Sequence, residues 1–567
     1  MSWREFYTTL YPDGYFSEFK KSMKIGVPMT FAVFCQLIIQ PLAILFGGHM
    51  GMIALGTLGL ANSIISVLCN TMYLGLTCAC DTLFSQVGGS NNKVYLGILV
   101  QRSIVAFSLV AFIVYGINLN MATFLITMGQ DPGISVLVGH YLVWFMPAVP
   151  CFYMLKVTRN YTILYGETKS YFASGIAGVI LALIFNYVFV DVLEFGLMGS
   201  ASAQNIAFIV STLGYILYVV RLDFHRKFFP VWNWRLFEKW GEFFELAIAG
   251  VFMTSLELWA FEISVFLAGL LGTVDLGAQS IVFNLDMMLY ALPAGLSIAC
   301  AIRTGQCLGA GRPTEARSAC YVSISCIFLT TLIPTTLYAT LRHELPKLFT
   351  NDKEVIALAA ELLPFVAFYN VFMNLSIVMR GVLRGIGKQR VGSVVITISY
   401  YVLALPIGSC LMFLTPLGTK GLWISFCCAL VLNSTIYTIY LTRYVDWVEL
   451  AGMAQKRANH GRADETTGLI NAETTKATVV IDGASDSVET KSKAQEWLDA
   501  EMPRDLKIKS AFYMGIPILF FIVCIIIKLT CSYDEEAILG ALRTFIQNRK
   551  DGFNSTTVSP QNATLIE

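Results

Sequence analysis

Apolar runs of about 20 residues recur along this chain from Ile25 to Tyr440, each closed by a short polar break. That length crosses about 30 Å of hydrocarbon as a helix. The pattern predicts spans at 25–46, 53–78, 95–117, 134–157, 171–190, 196–220, 242–268, 276–302, 320–341, 355–379, 391–414 and 420–442. A polar stretch rich in Thr, Ser, Glu, Asp and Lys follows, and its composition predicts disorder. A thirteenth run covers 511–527. The fold class is an all-α polytopic membrane protein, with the lipid bilayer as its solvent.

The same residues repeat at long range. Gly48, Gly51, Leu55 and Gly56 recur as Gly269, Gly272, Leu276 and Gly277, displaced by 221 positions (269 − 48). Arg159 and Gly166 recur as Arg380 and Gly387 at the same displacement. Each copy holds six spans, an even number, so both copies have one orientation. Two six-helix lobes related by a pseudo-twofold axis along the membrane normal follow, with a cavity between them.

Composition agrees: 56% of residues are hydrophobic and 14% charged, against about 25% charged in soluble domains. A net charge of +1 gives no reason to expect a nucleic acid partner. The 14 cysteines lie mostly within apolar runs and form no CxxC pair, so neither a disulfide framework nor a metal site is expected. Basic residues set the orientation. With the N-terminus cytoplasmic, inner loops take Lys93, Lys156, Arg159, Lys169, the group from Arg221 to Lys239, Arg303, Arg312, Arg317, Arg380, Arg384, Lys388 and Arg390. Thirteen spans then place the C-terminus outside, with sequons at Asn554 and Asn562. The expected order is a cytoplasmic segment 1–23, an N-lobe 24–220 and a cytoplasmic linker 221–240. A C-lobe 241–442, a disordered cytoplasmic region 443–509, a span 510–530 and an extracellular tail 531–567 complete it.

Chemistry enters with the polar residues inside the spans. Glu257 and Glu262 interrupt the apolar run 256–272. At 1.5 Å per residue they lie about 16 and 24 Å deep, and about 140° apart around the helix. A carboxylate at that depth costs about 2.5–3.5 kcal/mol on insertion scales, which marks it as a candidate ion or substrate site. Asn284 and Asp286 lie about 12 and 15 Å into the next span, and Tyr290 offers an aromatic face to a cation. Gln36 and Gln40 lie beside Pro41, and Pro147 and Pro150 break the fourth span. No histidine falls mid-span, which argues against an intramembrane enzyme built on a Ser/His/Asp set. A carrier of anionic solutes would need a basic interior, whereas the mid-span charges read as acidic.

The segments "ACDTLFSQ" (79–86), "LVQRS" (99–103), "GGHMG" (47–51), "FMPAVP" (145–150), "LGAQSIV" (276–282), "LPAGLSIA" (292–299) and "GVLRGIGKQ" (381–389) resemble the animal branch of the multidrug and toxic compound extrusion (MATE) family. The resemblance runs from about Ser22 to Arg443. It implies a V-shaped two-lobe secondary antiporter that exports small organic cations; the chain is expected in the plasma membrane, functional as a monomer. It implies no cofactor beyond an ion gradient, of protons or else of sodium, and a proton/cation coupling role for Glu257 and Glu262. The family's span-8 glutamate falls on Asn284, and its span-10 glutamate falls near Met373 with Asn374 beside it. Asn284, Asp286, Tyr290, Gln36, Gln40 and Asn374 are thus candidates for the substrate cavity. The expected arrangement is a coupling carboxylate at Glu257, neutralised alternately by a proton and by the transported cation.

Overall fold

A computed structural model describes residues 15–47, 50–90, 92–222, 232–350, 352–460, 502–530 and 540. Among them all regular structure is helical. The first lobe contains α1 (Tyr15–Gly47), α2 (Ile53–Gly89), α3 (Val94–Leu119), α4 (Pro132–Phe145), α5 (Ala148–Ile163), α6 (Lys169–Val192) and α7 (Gly196–Arg221). The second contains α8 (Trp240–Leu271), α9 (Thr273–Leu289), α10 (Ala291–Gly309), α11 (Pro313–Thr340), α12 (Lys353–Ile386), α13 (Gln389–Leu414) and α14 (Thr419–Tyr444). Two pairs are bent spans: α4 and α5 meet at 48°, α9 and α10 at 40°. Among the described residues, counting each pair once gives six spans per lobe, and α16 (Asp505–Thr530) is the thirteenth. The α4–α5 break falls at Met146–Pro147, where proline removes a helix donor.

Local signals fix the ends of these helices. Asp131 caps α4 by accepting from the Ile134 amide at 2.9 Å, with Pro132 in the first turn. Asp352 caps α12 through the Glu354 amide at 2.9 Å, and Gly387, at φ 74°, closes it in the left-handed conformation. Each lobe has its own apolar core. One runs through Ile39, Leu58, Leu83, Phe107, Tyr153 and Phe208, the other through Phe261, Val282, Tyr369, Tyr400, Trp423 and Phe426.

The lobes meet along a seam at one end of the bundle. There α1 and α2 pack against α8, α10 and α12. The backbones approach so closely that a side chain on Gly75 would meet the Val251 backbone, and one on Gly309 would meet the Gln86 carbonyl. Thr82 Oγ1 donates to the Arg384 carbonyl at 2.6 Å and Gln86 Nε2 to that of Gly385 at 3.0 Å. Asp81 bridges the lobes, 3.2 Å from Arg159 of the first and 3.6 Å from Arg384 of the second. Inter-lobe contact thins toward the opposite end, where α1 turns into α2 and α8 into α9. The thirteenth helix docks on α3, with Asn120 Nδ2 donating to the Cys524 carbonyl at 2.9 Å and Phe112 against Phe521.

Two expectations need correction. Residues 443–509 are not disordered throughout: α15 (Trp447–Ala458) is a helix capped by Asp446, whose carboxylate accepts from the Val448 amide at 2.9 Å. It lies across the seam end. Asn92 of the first lobe donates to the carbonyls of Ala458 and His460, and Arg457 pairs with Glu242 of the second at 2.5 Å. Residues 461–501 lie outside the described set, as do both sequons and most of the 531–567 tail. Second, Lys156, Arg159 and Arg380 are not loop residues. All three are buried within helices, which removes them from the charge balance of the inner loops.

The helical latch makes one outcome distinct. Deleting 463–499 should leave transport intact, whereas deleting 447–460 should impair it by releasing both lobes. Equal activity of the two surface-expressed deletions, measured by vesicle flux, would show that α15 does not hold the seam.

Candidate functional site

The second lobe brings acid and base together at membrane depth. Glu257 projects from the middle of α8, among Met253, Ala260 and Phe261, which are themselves buried. Arg380 reaches it from α12. The guanidinium meets both carboxylate oxygens, Nη1 on Oε2 and Nη2 on Oε1, the latter at 3.0 Å. Both side chains are 5% exposed. Tyr400 of α13 adds its hydroxyl to Oε1 at 3.4 Å, and Tyr369 of α12 lies 3.4 Å from that hydroxyl. A two-pronged pair of this kind is strong and fixed in direction. The carboxylate expected to await a proton or a cation already holds a cation, and the protein supplies it.

Asp286 is different. It is buried on α9, and Asn370 Nδ2 of α12 donates to its Oδ1 at 2.6 Å. No cation among the described residues pairs with it, and its second oxygen has no donor there. The buried hydroxyl of Tyr338 on α11 lies within electrostatic reach of Asp286 and is itself without a hydrogen-bond partner among the described residues. Glu262 is half-buried on another face of α8 and makes no ion pair among the described residues. The two glutamates therefore do not form one site.

The remaining candidates are dispersed. Asn284 is exposed and donates to the Ser280 carbonyl of its own helix at 2.8 Å. Asn374 is bonded to the Thr330 carbonyl and the Thr331 hydroxyl, both at 3.3 Å. Tyr290 sits at the α9–α10 bend, in electrostatic reach of Arg380, Glu257 and, across the lobes, Tyr73. Gln40 accepts from Asn70 at 3.5 Å.

Gln36 leads to a second centre, in the first lobe. It stands 221 positions before Glu257 (257 − 36), so the repeat puts an amide where the other lobe has an acid. Its amide nitrogen donates to the Tyr171 hydroxyl at 2.6 Å and its carbonyl accepts from the Lys156 ammonium. Lys156 also donates to Tyr171 at 2.9 Å and lies over the rings of Phe152 and Tyr73 at 5.3 and 5.4 Å. It is buried with no carboxylate within ion-pair distance among the described residues. Ring faces partly replace the missing anion. The interior is thus acidic in excess in the second lobe and basic in excess in the first, not acidic throughout.

The sequence reading missed Arg380, Asn370 and Lys156. Arg380 carried one signal: it is the repeat partner of Arg159, a conspicuous match between two helices. Asn370 carried none, since a neutral amide within an apolar run costs too little to stand out.

The MatE family model matches residues 28–188 and 250–409. The two segments start 222 positions apart (250 − 28), so one motif is matched once per lobe. The chain is 32% identical over 446 residues to multidrug and toxin extrusion protein 1 of Mus musculus, covering 79% of this chain and 78% of that one. It is 34% identical over 442 residues to the Homo sapiens protein of the same name, covering 78% and 77%. Among solved structures, the eukaryotic MATE transporter AtDTX14 superposes with a TM-score of 0.74 at 25% identity, over 79% of this chain and all of that one. A Vibrio cholerae MATE transporter, VcmN in its bent form, gives 0.66 at 18% identity over 79% and 99%.

Proposed function

This chain belongs to the MatE family, the multidrug and toxin extrusion transporters, and we propose that it is a secondary antiporter exporting small organic cations in exchange for protons. It is a multi-pass membrane protein that handles small organic solutes, and no enzyme. The observation that carries the finer reading is acid left over in the second lobe. After Arg380 has neutralised Glu257, Asp286 and Glu262 have no cationic partner among the described residues. A carboxylate at membrane depth must be neutralised. A proton and an organic cation can each do so and exclude one another, which is what antiport requires.

The reading places the sealed seam and α15 on the cytoplasmic side and opens the cleft outward. Both ends of the lobes would then alternate around a fixed site in a monomer at the plasma membrane. The N-terminus would be cytoplasmic and the C-terminus extracellular.

Lys156 favours a second reading, export of an anionic solute held by the basic first lobe. One experiment separates the two. Purified protein in proteoliposomes is given labelled tetraethylammonium or labelled benzoate under an imposed proton or sodium gradient. Cation uptake driven by an outward proton gradient is expected. Uptake driven by sodium alone would change the coupling ion, and uptake of benzoate but not of tetraethylammonium would support the anionic reading.

A further inference from the structure

The proposed antiport needs a group that changes occupant, and the expectation from family resemblance put that duty on Glu257. The geometry points elsewhere. We infer that Asp286 is the carboxylate at which the proton and the organic cation replace one another, and that Glu257 is the fixed counter-ion of Arg380. This inference rests on the proton-antiport reading and names its working residue.

Three observations carry it. Glu257 is held on both oxygens by Arg380 and on one by Tyr400, in a site where each partner of the pair is almost wholly buried. Freeing Glu257 for a substrate would strand a guanidinium in hydrocarbon, because among the described residues no other carboxylate lies within ion-pair distance of Arg380. Asp286, equally buried, has among the described residues only the Asn370 amide on one oxygen. An amide donor orients a carboxylate without cancelling its charge, so the charge must be met by something that arrives. Finally, the buried hydroxyl of Tyr338, without a hydrogen-bond partner among the described residues, lies within electrostatic reach of Asp286.

The groups facing Asp286 from the helices around it are Glu257 on α8, Tyr338 on α11, Tyr369 on α12 and Tyr400 on α13. None of them is a cation. The exchange balances simply. The Asp286 carboxylate holds the organic cation; a proton from outside binds a carboxylate oxygen and forms the neutral acid; the cation, no longer held, leaves to the outside. After the lobes reorient, the proton departs to the cytoplasm and the carboxylate is restored for the next cation. Asn370 is a positioning residue that fixes which oxygen stays free. Asp286 sits one turn before the α9–α10 bend, where a change in its charge can bias the angle between the two halves.

The test uses the full chain in proteoliposomes, with tetraethylammonium as the probe and an outward proton gradient. Asp286→Asn is expected to reduce gradient-driven uptake to that of protein-free vesicles, and Asp286→Glu to retain part of it. The double variant Glu257→Gln/Arg380→Gln, which removes the pair without leaving either charge behind, is expected to keep gradient-driven uptake. Thermal melting of each purified variant confirms that the fold is present. Gradient-driven uptake surviving in a folded Asp286→Asn protein overturns the inference, and so does its loss in a folded double variant. Failure of the unmutated protein to move the probe under any gradient would instead overturn the cation-antiport reading beneath it.

Discussion

Replacing Arg380 with methionine is expected to cost the fold about 3–5 kcal/mol, because Glu257 would be left charged, buried and without its partner. The pair is 5% exposed on both sides and reaches between α8 and α12, so the loss should appear as a lower melting temperature of the purified protein in detergent. The double variant Glu257→Gln/Arg380→Gln should recover most of the loss, since removing both charges of a buried pair is often neutral. An Arg380→Met protein that melts with the wild type would mean that the pair is wet or broken in solution.

The second large effect lies at the seam. Gly309 faces the Gln86 carbonyl with no room for a Cβ. Gly309→Leu forces overpacking of about 1–3 kcal/mol onto one conformational state only, the one with the seam shut. That difference shifts the closed-to-open ratio by roughly 5- to 150-fold. Cys78, buried where α2 meets α8, reports it directly, because it sits against Gly250 across the seam. Site-resolved maleimide labelling of Cys78 should be slow in the wild type and faster by a similar factor in Gly309→Leu. Unchanged labelling would mean that the seam flexes enough to absorb the side chain.

Much of the architecture is legible in the sequence because lipid leaves the backbone few options. Helical spans must be long and apolar, and the 221-residue repeat then pairs the lobes. Hydropathy understates the length of the spans, however. By hydropathy span 10 ends at Met379, because a basic residue follows, yet α12 continues to Ile386. A buried arginine near the end of an apolar run looks like a loop residue until its carboxylate is seen across the bundle. The same error hid Lys156 and Arg159. Helix α15 was hidden by averaging. Asp446 followed by apolar Trp447, Leu450, Ala451, Ala454 and Ala458 carries an N-cap and helical spacing, but the polar composition of 443–509 as a whole outweighs it. Glu257 stood out correctly as costly, while the residue that meets its cost lies 123 positions away. Hydropathy detects the charge and says nothing of its partner.

Competition between a proton and an organic cation for one carboxylate is most directly tested by following protons as the cation binds. Purified protein in weakly buffered detergent solution near neutral pH is titrated with tetraethylammonium, a cation that carries no exchangeable proton, and the pH is recorded. Linkage requires that a cation which displaces a proton release it into solution. Saturable acidification that tracks occupancy of the site, and that disappears in Asp286→Asn, is the predicted result. Saturable binding of the cation with no proton released would contradict exchange at a shared carboxylate.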